Sequence, residues 1–203
     1  MRRIFITGTD TNIGKTYVST KLLQQFNQAG LKTIGIKPVA TGATNGYNED
    51  AMLLQQYSSV KVDYSLINPF LSEIPVSPNI AFSDLDSNKI FKALKSTLAL
   101  EVDICLIEGV GGFMTPINYK ETMVDFVKKF KEIEIILVVG VRLGCLNHSI
   151  LTYQSIKAHK LNIKGWIANI IDPSMEEIDA NIATLKTYIR EPCLEIFQYE
   201  YYR

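Results

Sequence analysis

Short apolar runs alternate along the chain with stretches whose apolar residues recur every three to four positions. Arg3–Thr7, Lys32–Lys37, Val102–Ile107, Ile133–Val139 and Lys164–Ile171 are rich in Ile, Val, Leu and Phe and read as strands. Several are apolar at nearly every position, as expected of a parallel sheet covered on both faces. Thr16–Ala29 sets Val18, Leu22 and Phe26 on one stripe with Leu23 beside it, and Gly30 stops the helix. Ser87–Leu100 repeats the pattern with Ile90, Phe91, Leu94 and Leu98; Thr122–Phe130, Asn147–His159 and Ser174–Ile189 also read as helices. This alternation predicts right-handed βαβ crossovers and an α/β fold, a three-layer α/β/α stack around a mostly parallel central sheet. Only Tyr57–Phe82, with Pro69, Pro75 and Pro78, reads as a long irregular excursion, and a loop of that length is more often functional than idle.

A chain of 203 residues without a visible linker predicts a single domain over 1–203. It is long enough to bury roughly 70 % of its unfolded surface, so no disulfide or metal staple is required. Lys+Arg and Asp+Glu are equal at 21 each, which removes the broad basic field that nucleic acid or an anionic membrane would require. Cys105, Cys145 and Cys193 are odd in number and far apart, so they suggest neither a disulfide framework nor a zinc pattern. The run Ile4-Phe5-Ile6 is too short for a signal-peptide core or a membrane span, and a cytoplasmic protein is expected.

The candidate chemistry starts where the first strand ends, in Gly8-Thr9-Asp10-Thr11-Asn12-Ile13-Gly14-Lys15-Thr16. A glycine-punctuated turn entering a helix directs backbone N–H groups, and the positive end of the helix, toward one point, where a phosphate is held. Lys15 can neutralise β- and γ-phosphate charge while the Thr16 hydroxyl ligates Mg²⁺. Five residues separate the glycines, one more than the common spacing, so the loop is a variant placed in the right strand–turn–helix setting. Mg²⁺ asks for carboxylates as well, and Glu108, before Gly109-Val110-Gly111-Gly112, and Asp50, in Asn48-Glu49-Asp50-Ala51, are the candidates. Asp50 reads equally as a first-turn helix charge, and Glu108 as a loop carboxylate. Lys37, ending a strand before Pro38-Val39-Ala40-Thr41-Gly42, would point into the same crevice as Lys15 or else be a solvated strand end.

The phosphate loop, Lys37–Gly42, Glu108–Gly112 and Val139-Gly140-Val141-Arg142-Leu143-Gly144-Cys145-Leu146-Asn147-His148 occur together in this order, and the set resembles the dethiobiotin synthetase family, from Arg3 to about Asn169. The five-residue loop spacing is the form that family has. The resemblance implies a P-loop NTPase-type domain and a ligase of biotin biosynthesis. It would join 7,8-diaminopelargonate (7,8-diaminononanoate) and CO₂ at the expense of ATP, through a carbamate and a carbamic–phosphoric anhydride. It further implies that Lys15 and Lys37 act in catalysis and that Thr16, Asp50 and Glu108 hold Mg²⁺. Asn12, Ile13, Gly14, Lys15, Thr16, Tyr17, Asp50, Glu108, Gly109, Val110, Gly111 and Asn169 would bind the nucleotide. Thr41 would meet the substrate, and Gly144, Cys145 and Asn147 of a partner subunit would receive its distal carboxylate, which makes a homodimer with the site at its interface. The chain departs from the family after Asn169, where Ile170-Ile171-Asp172 follows and the later nucleobase loop is shortened, leaving the base open among ATP, GTP and CTP.

The alternative from a different class is a partition- or septum-type nucleotide-switch ATPase, which shares the variant loop. Such proteins carry a signature lysine early in it, where Asp10, Thr11 and Asn12 stand here, and no basic amphipathic C-terminal helix is visible. A third reading, an amidotransferase-linked synthetase of the same superfamily, would need a glutaminase nucleophile context, which this sequence does not show. His148 and His159 have no acid or cysteine partners for a metal set. Cys105 and Trp166 read as core, and the tail aromatics Tyr199, Tyr201 and Tyr202 as packing on a dimer or on a nucleobase.

Overall fold

The structure is a computed structural model and describes residues 1–198. In chain order its elements are β1 (Arg2–Gly8), α1 (Lys15–Gln28), β2 (Thr33–Ile36), β3 (Val39–Thr41), α2 (Glu49–Tyr57), α3 (Tyr64–Ile67), β4 (Phe70–Ser72), α4 (Pro78–Ala81), α5 (Ser87–Ala93), α6 (Lys95–Leu98), β5 (Ile104–Glu108), α7 (Met123–Val127), β6 (Glu134–Val141), α8 (Cys145–Ala158), β7 (Ile163–Ile170), α9 (Ile178–Tyr188) and β8 (Cys193–Gln198). Six strands form one sheet in the order β2-β5-β1-β6-β7-β8, with every pairing parallel.

The apolar runs are explained by what lies on either side of that sheet. In β1, Ile4 and Ile6 join a cluster with Tyr17, Val18, Leu22 and Leu23 of α1, while Phe5 faces the opposite cluster. β6 repeats the alternation: Ile136 and Val138 face α1, whereas Ile135, Leu137, Val139 and Val141 face the side built by α5, α7, α8 and α9. Phe5 meets Phe126 edge-on at 6.3 Å, and Phe126 meets Phe130 at 5.4 Å. β1 and β6 are therefore apolar on both faces, and the layered α/β/α fold follows.

All five expected strands form, with ends shifted by one or two residues, and the differences lie elsewhere. Ser87–Leu100 is not one helix: it breaks at Leu94, whose backbone closes α5 and opens α6. Tyr57–Phe82 is not wholly irregular. Asn68 donates through Nδ2 to the Lys37 carbonyl at 2.6 Å, and β4 pairs with β3 in a small parallel sheet, giving the proline-rich segment order without apolar periodicity. β8 was not anticipated; its residues alternate between half-buried and exposed, as at a sheet edge. The α9 helix starts at Ile178 rather than Ser174, after Asp172 has used its carboxylate to hold Ser174 in a turn. The packing expected of Tyr199, Tyr201 and Tyr202 falls outside the described residues. Among the described residues, no helix is long and apolar enough to cross a membrane.

Gly140 of β6 shows how tightly the phosphate loop sits on the sheet. A Cβ there would lie 2.7 Å from Ile13 Cγ2 and 2.9 Å from Ile171 Cδ1. Gly140→Ala is expected to lower unfolding free energy by about 1–3 kcal/mol through overpacking, and to weaken nucleotide binding because Ile13 must shift. Urea denaturation and nucleotide titration check this, and unchanged values in both would show that Ile13 has room to move.

Candidate functional site

Strand order and register place the site. β5 lies between β2 and β1, with Ile36 beside Ile107 and Ile6 beside Glu108. Lys37, one residue past β2, and the phosphate loop, just past β1, therefore flank Glu108 at the carboxyl end of the sheet. Glu108 is 1 % exposed, and a carboxylate so far from water needs donors. Its Oε1 accepts from Thr16 Oγ1 at 2.8 Å and from Lys37 Nζ at 2.9 Å, and its Oε2 accepts from Ser19 Oγ at 3.0 Å. Lys37 Nζ also donates to Asp50 Oδ2.

Both ionic partners keep their charge. Burial works to depress the Lys37 pKa, but Glu108 and Asp50 outweigh it and raise the pKa above that of an ordinary lysine. Burial likewise pushes Asp50 upward, but Lys37 and the Thr16 hydroxyl bring it below the usual carboxylate value. Lys15 behaves differently. Burial, with repulsion from Lys37, brings it down to about 8, and its Nζ donates at 2.8 Å to the Asp10 carbonyl. It is a cation held without a full counter-charge, the state expected of a group awaiting a polyanion.

Asp50 and Glu108 thus converge on Lys37 Nζ, and Thr16 Oγ1 joins the group through its bond to Glu108. Among the described residues no three His, Cys, Asp or Glu side chains gather into a metal cage, so an ion here would depend on this mixed set. Its donors are hard oxygens from one hydroxyl and two carboxylates, the chemistry Mg²⁺ prefers when phosphate and water complete its shell. The loop backbone suits a phosphate: Gly14 has φ 80 at the N-cap of α1, and Asn12 has φ 55.

The remaining candidates are distributed around this centre. Gly109 donates its N–H to the Ile6 carbonyl at 2.9 Å, Gly111 has φ 61, and Val110 between them packs on the core. Tyr17 is buried against β8, with its ring 5.8 Å from Phe197 and its hydroxyl donating to the Gln198 carbonyl at 3.3 Å. Asn169 is fully buried, and its Nδ2 donates to the Ile13 carbonyl at 2.8 Å. That bond fixes the amide orientation and leaves Oδ1 buried without a partner among the described residues. Thr41 ends β3, and Gly42 beyond it has φ 75. Gly144, with φ 93, caps α8, whose first turn holds the buried Cys145 and the exposed Asn147. Among the described residues, no hydrogen bond joins Gly144, Cys145 or Asn147 to the Glu108 cluster. Cys105 is buried in β5, where desolvation lifts its thiol to about 12, and Trp166 is fully buried.

Two participants went unread in the sequence. Ser19 stands three residues after Thr16, so both hydroxyls lie on one face of α1, and that spacing could have revealed it. Asp10 pairs with Arg142 at 2.5 Å across 132 positions of sequence, a contact with no local signal.

The parallel sheet, the turn into α1 and a lysine facing two carboxylates define a P-loop nucleotide-binding protein, and the AAA-domain family matches residues 2–200. Among relatives, an ATP-dependent dethiobiotin synthetase of Cellvibrio japonicus is 39 % identical over 96 % of this chain and 88 % of its own length. That of Alteromonas mediterranea is 41 % identical over 98 % of this chain and 93 % of its own. The chain belongs to the ATP-dependent dethiobiotin synthetase family. A chain of the MinC:MinD cell division protein complex of Aquifex aeolicus has a TM-score of 0.63 over 99 % of this chain and 82 % of its own at 16 % identity, a likeness of fold alone. The switch-ATPase alternative therefore rests on architecture it shares with the synthetases.

Lys37→Met leaves Glu108 and Asp50 facing each other with their shared cation gone. Stability is expected to drop by about 3 kcal/mol in urea denaturation, since removing one member of a buried pair strands the other. A loss below about 1 kcal/mol would show that Thr16 and Ser19 alone satisfy Glu108.

Proposed function

We infer that this chain is an ATP-dependent dethiobiotin synthetase, a cyclo-ligase working as one domain over 1–203 in the cytoplasm. The observation that carries the reading is the meeting of Thr16 and Lys37 on the buried Glu108 beside the phosphate loop, with Asp50 held by the same lysine, in a chain of this family. One amine of 7,8-diaminopelargonate takes up CO₂ as a carbamate. A carbamate oxygen attacks the γ-phosphate of ATP, giving a carbamic–phosphoric anhydride and ADP. The second amine then attacks the carbamate carbon, closes the ureido ring and expels phosphate.

Lys15 and Lys37 are the catalytic residues. Lys15 gives up the Asp10 carbonyl for the β- and γ-phosphate oxygens, and Lys37 stands where charge builds between carbamate and phosphoryl group. Thr16, Asp50 and Glu108 would hold Mg²⁺, which when bound would draw charge from the phosphate oxygens. The N–H groups of Asn12, Ile13, Gly14, Lys15, Thr16 and Tyr17 cradle the phosphates, and Gly109, Val110 and Gly111 allow the nucleotide close to the backbone. Asn169 is placed to accept from the base: its free Oδ1 suits the amino group of adenine or cytosine and opposes the carbonyl of guanine.

Thr41 meets the diamine. Its distal carboxylate goes to Gly144, Cys145 and Asn147 of the partner subunit, at the positive end of α8, which requires a homodimer. The bare Leu143 (88 % exposed) and Leu151 (57 % exposed) beside that end supply apolar surface for such a contact. The free thiols of Cys105, Cys145 and Cys193 suit a reducing compartment.

Phosphate release from ATP is expected only when diaminopelargonate and bicarbonate are both present, and Lys15→Ala should lower kcat/KM by about a thousandfold or more. Phosphate release that ignores both cosubstrates would instead support a switch ATPase. Thr16→Val should lower turnover and raise the Mg²⁺ concentration for half-maximal rate by about tenfold, whereas an unshifted Mg²⁺ titration would remove the hydroxyl from the metal site.

A further inference from the structure

Asp10 ties the phosphate loop together at three points. Its Oδ1 accepts from the Thr11 N–H at 2.7 Å, its carbonyl accepts from Lys15 Nζ at 2.8 Å, and its Oδ2 accepts from Arg142 Nη2 at 2.5 Å. The arrangement carries an electrostatic cost, because it sets a carboxylate inside a loop whose purpose is to hold a polyanion. Arg142 is the cation that offsets it. Both side chains of this pair are 43 % exposed, so solvent screens the pair and it adds little to stability. It therefore does little for the fold, and its value lies in the field and shape of the loop.

We propose that Arg142 is a positioning residue for nucleotide binding, acting through Asp10. Arg142 neutralises the Asp10 carboxylate and keeps it turned away from the incoming phosphates. This preserves the loop shape when Lys15 leaves the Asp10 carbonyl for the triphosphate. The same residue fixes the next element as well, because the Arg142 carbonyl accepts from the Cys145 N–H at 3.0 Å and so closes the turn that opens α8. The phosphate loop and the N-terminus of α8 are thereby joined through one side chain and one backbone bond. Given the reading that the partner's substrate lies at that N-terminus, nucleotide and diamine would sense each other through Arg142.

The test is the affinity for a non-hydrolysable ATP analogue with Mg²⁺, measured by calorimetry on the full chain, together with steady-state KM and kcat. Arg142→Ala is expected to bind the analogue about tenfold more weakly and to raise KM for ATP in proportion, with kcat within about twofold of the parent. Arg142→Lys should restore most of the affinity. In an Asp10→Asn background, Arg142→Ala should cost no more than about twofold, since the charge it offsets is already gone. Thermal melting of each variant separates loss of fold from loss of affinity. An Arg142→Ala chain that binds like the parent would overturn the proposal, and so would a loss equally large in the Asp10→Asn background. A parent chain that does not bind the analogue at all would sink the functional reading itself, an outcome these variants cannot mimic.

Discussion

A carboxylate removed from water at the end of a strand organises this molecule. A carboxylate buried at the end of an apolar sheet needs donors around it, and those of Glu108 come from two distant stretches of chain. Thr16 and Ser19 arrive on the first helix and Lys37 at the end of a neighbouring strand, while Asp50 balances the lysine from the start of another helix. Satisfying Glu108 therefore fixes α1 against β5, and with it the aim of the phosphate loop. The same groups that stabilise the apo chain are those a metal–nucleotide complex would enlist, so binding exchanges partners within an assembled site rather than building one.

The two lysines divide the work because their surroundings differ. Lys37 is buried between two carboxylates and is locked as a cation. Lys15 is buried beside another cation and, among the described residues, donates to the Asp10 carbonyl alone, so its charge is held at a cost that a polyphosphate would relieve. In the function proposed above, Lys37 would face the reaction as a fixed cation and Lys15 would meet the incoming phosphates. Around them, Gly140 and Gly109 admit Ile13 and Phe5 so closely that the loop and the Glu108 turn rest directly on the sheet.

The layering and five of the six strands of the main sheet could be read from hydrophobic pattern, because burial on both faces leaves a continuous apolar run that few other environments explain. The phosphate loop was legible because its chemistry is local: one turn and one helix start within nine residues. Lys37, Asp50 and Glu108 could be proposed singly, each at a strand or helix end, but their meeting depends on strand order, which periodicity does not encode. β3, β4 and β8 escaped notice because edge or very short strands bury too little to leave a pattern. The break at Leu94 was hidden by apolar residues spaced evenly across it. The pairing of Asp10 with Arg142 escaped because nothing near either residue announces a partner so far along the chain.

The central claim is that Glu108 is the carboxylate through which the phosphate loop and a divalent ion act together. It is tested most directly by comparing nucleotide-analogue affinity with and without Mg²⁺ in the parent chain and in Glu108→Gln, which keeps the shape and removes the charge. The parent should tighten about tenfold or more when Mg²⁺ is added, and Glu108→Gln should bind almost equally in both conditions. A variant that keeps the full Mg²⁺ enhancement would contradict the account, because the ion would then be held without the residue around which the site is built.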